Sequence, residues 1–473
     1  MAVSSGTSAA FSETLVRESI CASARDFRAA PLAEPRGTCD CHPTVLLLLR
    51  SAHDMTRSTS IGVPPFSPAN ETRPRCVAMG GGTGLPAVLS GLRRALALNQ
   101  ASLDFHGARE RLTAIVTMTD DGGSSGWLRR QLDILPTGDV RNCLAALAPD
   151  GSPYSALIQH RFSGSHELAG HPIGNLLLAA LTQMSGDFET AVDTLSSMMG
   201  LEGSVLPSTA ENVALRAEFH GGETRLGETA IVACRTGIKR LSLERAVRPV
   251  PETLRALINA DVIVVGPGSL YTSILPNLLV DGIASTMSGV RAVRVYVANL
   301  MTEPGETDGY TLADHLDAIR SHVGFDLFDY VLVNKRPVKA SVAMHYARRG
   351  SVPVVRDGRR TAGIQPVIIE RDLAWRFERG KIRHAPAALA EAILELAGAG
   401  RRGILPEIDS VDVGSGQDDR RAAVAAVLQA FSLPSLRQKS AYSATLVTNP
   451  ERVENIENRT VARFTTAKSL TYK

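Results

Sequence analysis

The densest group of residues able to do chemistry in this sequence is the glycine knot Gly80, Gly81, Gly82, Thr83 and Gly84. The apolar stretch Cys76 to Met79 leads into it, and the amphipathic run LPAVLSGLRRALAL leads out to Leu98. Strand, glycine knot and helix in that order make a holder for phosphate. Glycine lets the backbone approach an anion, and the unpaired N–H groups of a helix start face it. The spacing is Gly-x-Gly twice over, not a full GxGxxG. A generic dinucleotide fold is therefore one candidate, and a tight strand-to-helix turn without a ligand is another. A second unit of the same kind follows ADVIVV (260–265) at Gly266, Pro267, Gly268 and Ser269. Two such units weaken the explanation by bare turns.

Other polar groups fall where the strands should end. LTAIVT (112–117) runs into Thr119-Asp120-Asp121-Gly122-Gly123. Asp139 stands before a run predicted to be helical from Val140 or Arg141, as either its cap or a ligand group. In ELAGHPIGNLLLAALTQM (167–184), Pro172 suits the first helical position, which makes His171 the cap and puts Asn175 one turn on, on the same face. The helix behind them is apolar nearly all round and so buried, and its His and Asn are either site residues or satisfied core groups. Asn299 and Asn334 end the runs VRVYVANL and DYVLVN, as hydrogen-bond partners for a base or a phosphate or as ordinary turn residues.

These groups need a scaffold that brings strand ends together. Alternating apolar strands and helices predict an α/β fold, a Rossmann-like doubly wound parallel sheet, whose ligands lie beyond the carboxyl ends of the strands. Between Val205 and Leu243 the texture changes to the short strand-like runs VALRAEFHGG and ETAIVACRTGIKRLSLE, with a turn at Gly221-Gly222. They predict a small antiparallel insertion, laid against the main sheet. The helix after Ser269 should be limited by Pro276, and Ala387 to Ala397 should close the domain. The expected organisation is an N-terminal extension over 1–73, a nucleotide-binding domain over 74–398 with a helical and antiparallel insertion at about 150–258, and a tail over 399–473. The extension is rich in Ser, Ala, Thr, Arg and Pro without sustained periodicity, and both ends read as poorly ordered. The extension also has the acid-poor look of a transit peptide, or Met55 is the true start.

Bulk properties exclude several classes. The 473 residues carry a formal charge of +3 without a concentrated basic stretch, which argues against nucleic acid as a partner. The longest purely aliphatic run, Val45 to Leu49, is far shorter than the roughly 20 residues that span a bilayer. The six cysteines form no CxxC pair, and Cys39-x-Cys41-His42 lies in a segment with little else to fold, so reduced cytosolic thiols are the expectation. A nicotinamide-dependent dehydrogenase fits poorly, because the acid after the second strand comes later than the roughly 20 residues expected of a ribose-binding group. No GxSxG elbow is present.

Eight motifs occur in order over residues 75–398: GGGTGL at 80, TDDGGSSG at 119, LPTGDVRN at 135, QHRF at 159, GHPIGNLLLAA at 170, VLPST at 205, GPGSLYTSILPNLL at 266 and MTEPGETDGY at 301. With them the chain resembles the CofD-like superfamily of 2-phospho-L-lactate transferases, and within it the gluconeogenesis-factor (YvcK-like) branch. The resemblance implies a cytoplasmic binding and regulatory protein, needed for growth and cell shape on gluconeogenic carbon sources. It implies a UDP-sugar ligand, UDP-N-acetylglucosamine first. Its diphosphate would rest on Gly80 to Gly84 and on Gly266, Gly268 and Ser269, with base and sugar read by His171, Asn175, Asn299 and Asn334. The sister branch implies the alternative, a Mg²⁺-dependent transferase acting on a nucleotide diphosphate-activated substrate, its metal held at Asp120 or Asp121 and at Asp139. A homo-oligomer, at least a dimer, is expected. Trp127 stands where the family pattern leads one to expect a basic residue, with Arg129 close by.

Overall fold

The computed structural model describes residues 73–96, 105–357, 366–378 and 380–401. All lie within one unit, Pro68–Lys473. The expectations for the N-terminal extension, for Cys39, Cys41 and His42, and for the tail beyond 401 fall outside the described residues.

The main sheet has seven parallel strands: β1 (Cys76–Gly80), β2 (Leu112–Val116), β3 (Ser204–Pro207), then β7 (Val262–Val265), β8 (Val293–Val297), β9 (Tyr330–Asn334) and β10 (Val367–Arg371). Their spatial order is β10-β9-β8-β7-β1-β2-β3. The chain therefore starts in the middle, builds outward to β3, and returns to the other side of β1 to build outward again. That reversal is a topological switch point, where open α/β sheets hold their ligands. Met79 pairs with both Ile115 and Val265, and Gly80 with Val116, so Gly80, Val116 and Gly266 stand side by side at the strands' carboxyl ends.

Both faces of the sheet are covered, as the unbroken apolar strands require. Cys76 and Ala78 of β1 face one core with Val116, Val264 and Val295, under α1 (Leu85–Ala95), α4 (Gly138–Leu147), α7 (Phe188–Met199) and α14 (Pro386–Arg401). Val77 and Met79 face the other with Ile115, Val265 and Tyr296, under α9 (Pro251–Asn259), α11 (Ile283–Gly289) and α12 (Leu312–Val323). The antiparallel sheet β5-β4-β6, formed by β4 (Leu215–Phe219), β5 (Thr224–Leu226) and β6 (Ile238–Leu243), presents Leu215, Ala217, Phe219 and Leu241 to this second core. It is laid against the main sheet, as its sequence texture predicts.

Four local expectations need correction. The insertion does not begin at Val205, because 204–207 pair in parallel with β2 and form the sheet's edge. ETAIVAC is not a strand but a helix, α8 (Glu228–Cys234), whose fully buried apolar side chain is Ile231. Pro276 does not end a helix: a π-helical turn, Leu270–Ile274, precedes α10 (Leu275–Leu278), and Pro276 sits in that helix's first turn, where its missing N–H costs nothing. Helix α6 (Ile173–Ser185) has Pro172 as N-cap, so His171 lies one residue outside it. Among the described residues no helix is long and apolar enough to cross a membrane.

Candidate functional site

The two glycine loops meet at the switch point. A Cβ on Gly84 would lie 2.1 Å from the carbonyl oxygen of Pro267, so only glycine allows this approach. Gly82 has a φ of +62°, a conformation that favours glycine over other residues. Behind the loops Asn277, fully buried, donates from Nδ2 to the carbonyls of Gly80 (3.2 Å) and Ser273 (2.8 Å), tying the first loop to the turn that follows the second. Asn299 clamps Gly268 at both ends: its Oδ1 accepts from the Gly268 N–H at 3.1 Å, and its Nδ2 donates to the Gly268 carbonyl at 2.8 Å. Its place at the end of β8 is the predicted one, but its amide holds the loop. Helix α1 has no side-chain cap, and among the described residues the N–H groups of Thr83 and Gly84 have no acceptor. Unpaired N–H groups at a helix start have the chemistry to accept an anion.

Asp139 does not cap α4, whose N-cap is Thr137. From the helix's first turn its Oδ2 accepts the Gly82 N–H at 2.7 Å. A carboxylate thus already stands on one of the backbone donors expected to hold phosphate. Burial pushes the Asp139 carboxyl up to about 6, opposed by the Gly82 hydrogen bond and reinforced by the charge of Asp120. Asp120 accepts the Gly122 N–H at 2.9 Å. Asp121 points the other way, accepting from the Thr229 N–H (2.9 Å) and Oγ1 (2.6 Å), and so anchors the first turn of α8. That contact explains why the strand-like run ETAIVAC becomes a helix in this position: its first-turn donors find a carboxylate.

The helix so anchored brings in an acid that sequence reasoning missed. Burial together with the charges of Asp120, Asp139, Glu306 and Asp121 pushes Glu228 up to about 9. Glu306 reaches about 7, through burial and the nearby Glu303. Ser269 Oγ lies 2.6 Å from Glu303 Oε2 and 2.6 Å from Glu306 Oε2. One hydroxyl carries one proton, so the second of these contacts needs a proton from a carboxyl group, consistent with the raised Glu306. Nothing in the local sequence marks Glu228 for this place; Glu303 and Glu306 lie in the MTEPGETDGY motif but are not among the expected site residues.

His171 and Asn175 reach the same end of the sheet through Ser124. Ser124 Oγ lies 2.9 Å from His171 Nδ1 and accepts from Asn175 Nδ2 at 3.1 Å, while the Trp127 and His171 rings form a T-shaped pair with centroids 4.9 Å apart. Asn175 Oδ1 accepts from Arg141 Nη1 at 2.9 Å. Arg129 does not supply a phosphate contact in place of Trp127: its guanidinium binds Asn212 Oδ1 and the Val213 carbonyl, each at 2.6 Å. Asn334 is not gathered into this group. It lies on β9, two strands from β7, where its Nδ2 donates to the Arg336 carbonyl and its Oδ1 accepts from the Leu373 N–H.

Among the described residues no three His, Cys, Asp or Glu side chains are grouped closely enough to hold a metal ion. Asp121 is taken up by Thr229. Asp120 and Asp139 remain, a donor set that fits Mg²⁺ only where phosphate oxygens complete its shell, as this ion commonly binds.

The 2-phospho-L-lactate transferase CofD family matches residues 76–373. The chain belongs to the CofD family. Within it the chain sits in the gluconeogenesis-factor branch. It is 42% identical over 320 residues to the gluconeogenesis factor of Halalkalibacterium halodurans, covering 67% of this chain and 95% of that protein. It is 40% identical over 325 residues to that of Bacillus subtilis, covering 68% and 98%. A crystal structure of a UPF0052-family protein from Bacillus halodurans superposes with a TM-score of 0.62 at 41% identity, over 67% of this chain and 99% of that one. The CofD match runs from the first residue of β1 to just beyond β10 and contains every site residue named above.

Proposed function

We propose that the switch-point crevice binds a nucleotide diphosphate carrying a sugar, UDP-N-acetylglucosamine being the first candidate. The protein then acts as a binding and regulatory factor for growth and cell shape on gluconeogenic carbon sources. The observation that carries this reading is the contact between two glycine loops from adjacent strands at the point where the sheet order reverses. A diphosphate is an extended anion, and two loops of backbone donors suit it better than one. Relatives named gluconeogenesis factor, covered almost end to end, support the cellular role. Free Cys76, Cys143 and Cys234 are in keeping with a cytoplasmic location. A homo-oligomer of at least two subunits completes the proposal.

A second reading, a Mg²⁺-dependent transferase of the 2-phospho-L-lactate type, draws on the acids. The charges of Asp120 and, once ionised, Asp139 would repel a bare diphosphate, and a divalent ion resolves that conflict. In this reading Asp120 and Asp139 hold the ion with the phosphates, and the ion supplies neutralisation of charge developing on the leaving group. Both readings meet in one experiment: a thermal-shift screen of the protein against UDP-sugars, GDP derivatives and NAD, with and without Mg²⁺. A ligand at 100 times its dissociation constant stabilises by about 2.7 kcal/mol. A shift with UDP-N-acetylglucosamine supports the first reading, a Mg²⁺-dependent shift with GDP derivatives the second, and a shift with NAD alone refutes both.

A further inference from the structure

Arg141 lies in the first turn of α4, the turn that presents Asp139 to Gly82. Its side chain is 95% buried, being 5% exposed, and it packs beside Gly174 at the start of α6. A guanidinium taken out of water is costly unless a counter-charge meets it. Here none does. Nη1 donates to Asn175 Oδ1 at 2.9 Å and Nη2 to Asn142 Oδ1 at 2.8 Å, both neutral amides, and the buried Nε–H has no acceptor. Among the described residues no carboxylate comes within ion-pair distance of it. Asp139, the nearest acid in sequence, is turned to Gly82. A second guanidinium, that of Arg161, stands close enough for its charge to act on Arg141 more strongly than either acid, Asp139 or Asp120, does. The two amides hold the fork: Asn175 is fixed in turn by Ser124, and Asn142 by Gln159.

We propose that Arg141 is the seat of an oxyanion of the ligand, a phosphate or carboxylate group, with Arg161 adding to the local positive field. A guanidinium presents five N–H donors in a planar fork that matches such a group bidentately. The seat sharpens the ligand class for the same crevice: the ligand must place an anionic group on α4 as well as on the glycine loops. For its nucleotide part it rests on the nucleotide-diphosphate reading, but the seat can be tested without that reading.

The test is calorimetry of the full chain and of R141Q and R161Q against three probes: inorganic pyrophosphate, UDP-N-acetylglucosamine and UDP-glucuronate. The expected result is that R141Q weakens anion binding by about tenfold or more and R161Q by a smaller factor. An equal loss for the two UDP-sugars assigns the seat to the diphosphate, and a loss confined to UDP-glucuronate assigns it to the carboxylate. Arg141-dependent pyrophosphate binding without UDP-sugar binding upholds the seat and removes the nucleotide-sugar reading. Wild-type affinities in both variants, or no binding of any probe to the wild type, overturn the seat. Should R141Q fail to fold, the exposed Arg161 decides, and an R161Q affinity equal to wild type overturns it.

Discussion

Replacing Gly84 by alanine tests the meeting of the two loops directly. The added Cβ would stand 2.1 Å from the Pro267 carbonyl oxygen and 2.7 Å from its carbon. Close carbon–oxygen contacts settle at about 3.3 Å, so the loops must part by roughly 1 Å. Neither side yields easily, because Asn299 clamps Gly268 and Asn277 ties Gly80 to Ser273. Overpacking of this kind costs about 1–3 kcal/mol, which for a domain of this size lowers the melting temperature by roughly 2–5 °C. The same displacement pulls the start of α1 away from the second loop, and nucleotide-diphosphate affinity should fall about tenfold or more, the equivalent of about 1.4 kcal/mol. Melting by calorimetry and titration with the best ligand of the screen give the two readouts. Gly221→Ala, where an added Cβ meets nothing within 4 Å, is the control. If G84A melts and binds like G221A, the two loops do not meet as described.

Three further outcomes are expected. Asp121→Ala removes the acceptor for Thr229 and should cost about 0.5–2 kcal/mol, with faster hydrogen exchange over 228–234; unchanged exchange there would mean that Asp121 is free to bind something else. Arg93 is 3% exposed and bridges the buried Glu202 (2.7 Å) and Asp150 (2.5 Å). R93M alone should cost about 3–5 kcal/mol by stranding Glu202, and R93M with Glu202→Met should recover much of it; equal losses in the single and double variants would count against this account. The fold favours the protonated form of Glu306, raised from 4.5 to about 7 mainly by burial and then by Glu303. Its contribution is therefore full below about pH 4.5 and is lost as pH rises through 7, up to about 3 kcal/mol across that window. E306Q, which keeps the neutral shape, should flatten that limb of the stability profile against wild type, and a profile unchanged by the substitution would exclude Glu306 as its source.

Local chemistry carried much of this protein in its sequence. The apolar runs that become β1, β2, β7, β8 and β9, and the glycines that follow two of them, were legible because strand period and glycine's tolerance of close approach are properties of short segments. The eight ordered motifs led to the CofD family for the same reason: each is contiguous. Local reading failed where a distant partner overruled propensity. Residues 204–207 joined the main sheet because β2 offered them an open edge, ETAIVAC coiled because Asp121 met Thr229, and Asp139 left its own helix end for Gly82. Asn299 was placed rightly at a strand end, yet only the fold shows that its amide is engaged with Gly268. Glu228 carried no signal, and Arg141 only its place in LPTGDVRN, since an acid or a guanidinium acquires its chemistry from what is buried around it. The sequence determined which segments are strands, turns and helices, because those choices are made over a few residues. The tertiary structure alone decided that β7 returns beside β1, and with it which glycines and acids gather at the strands' carboxyl ends, because pairing between segments so far apart is settled by packing the whole sheet.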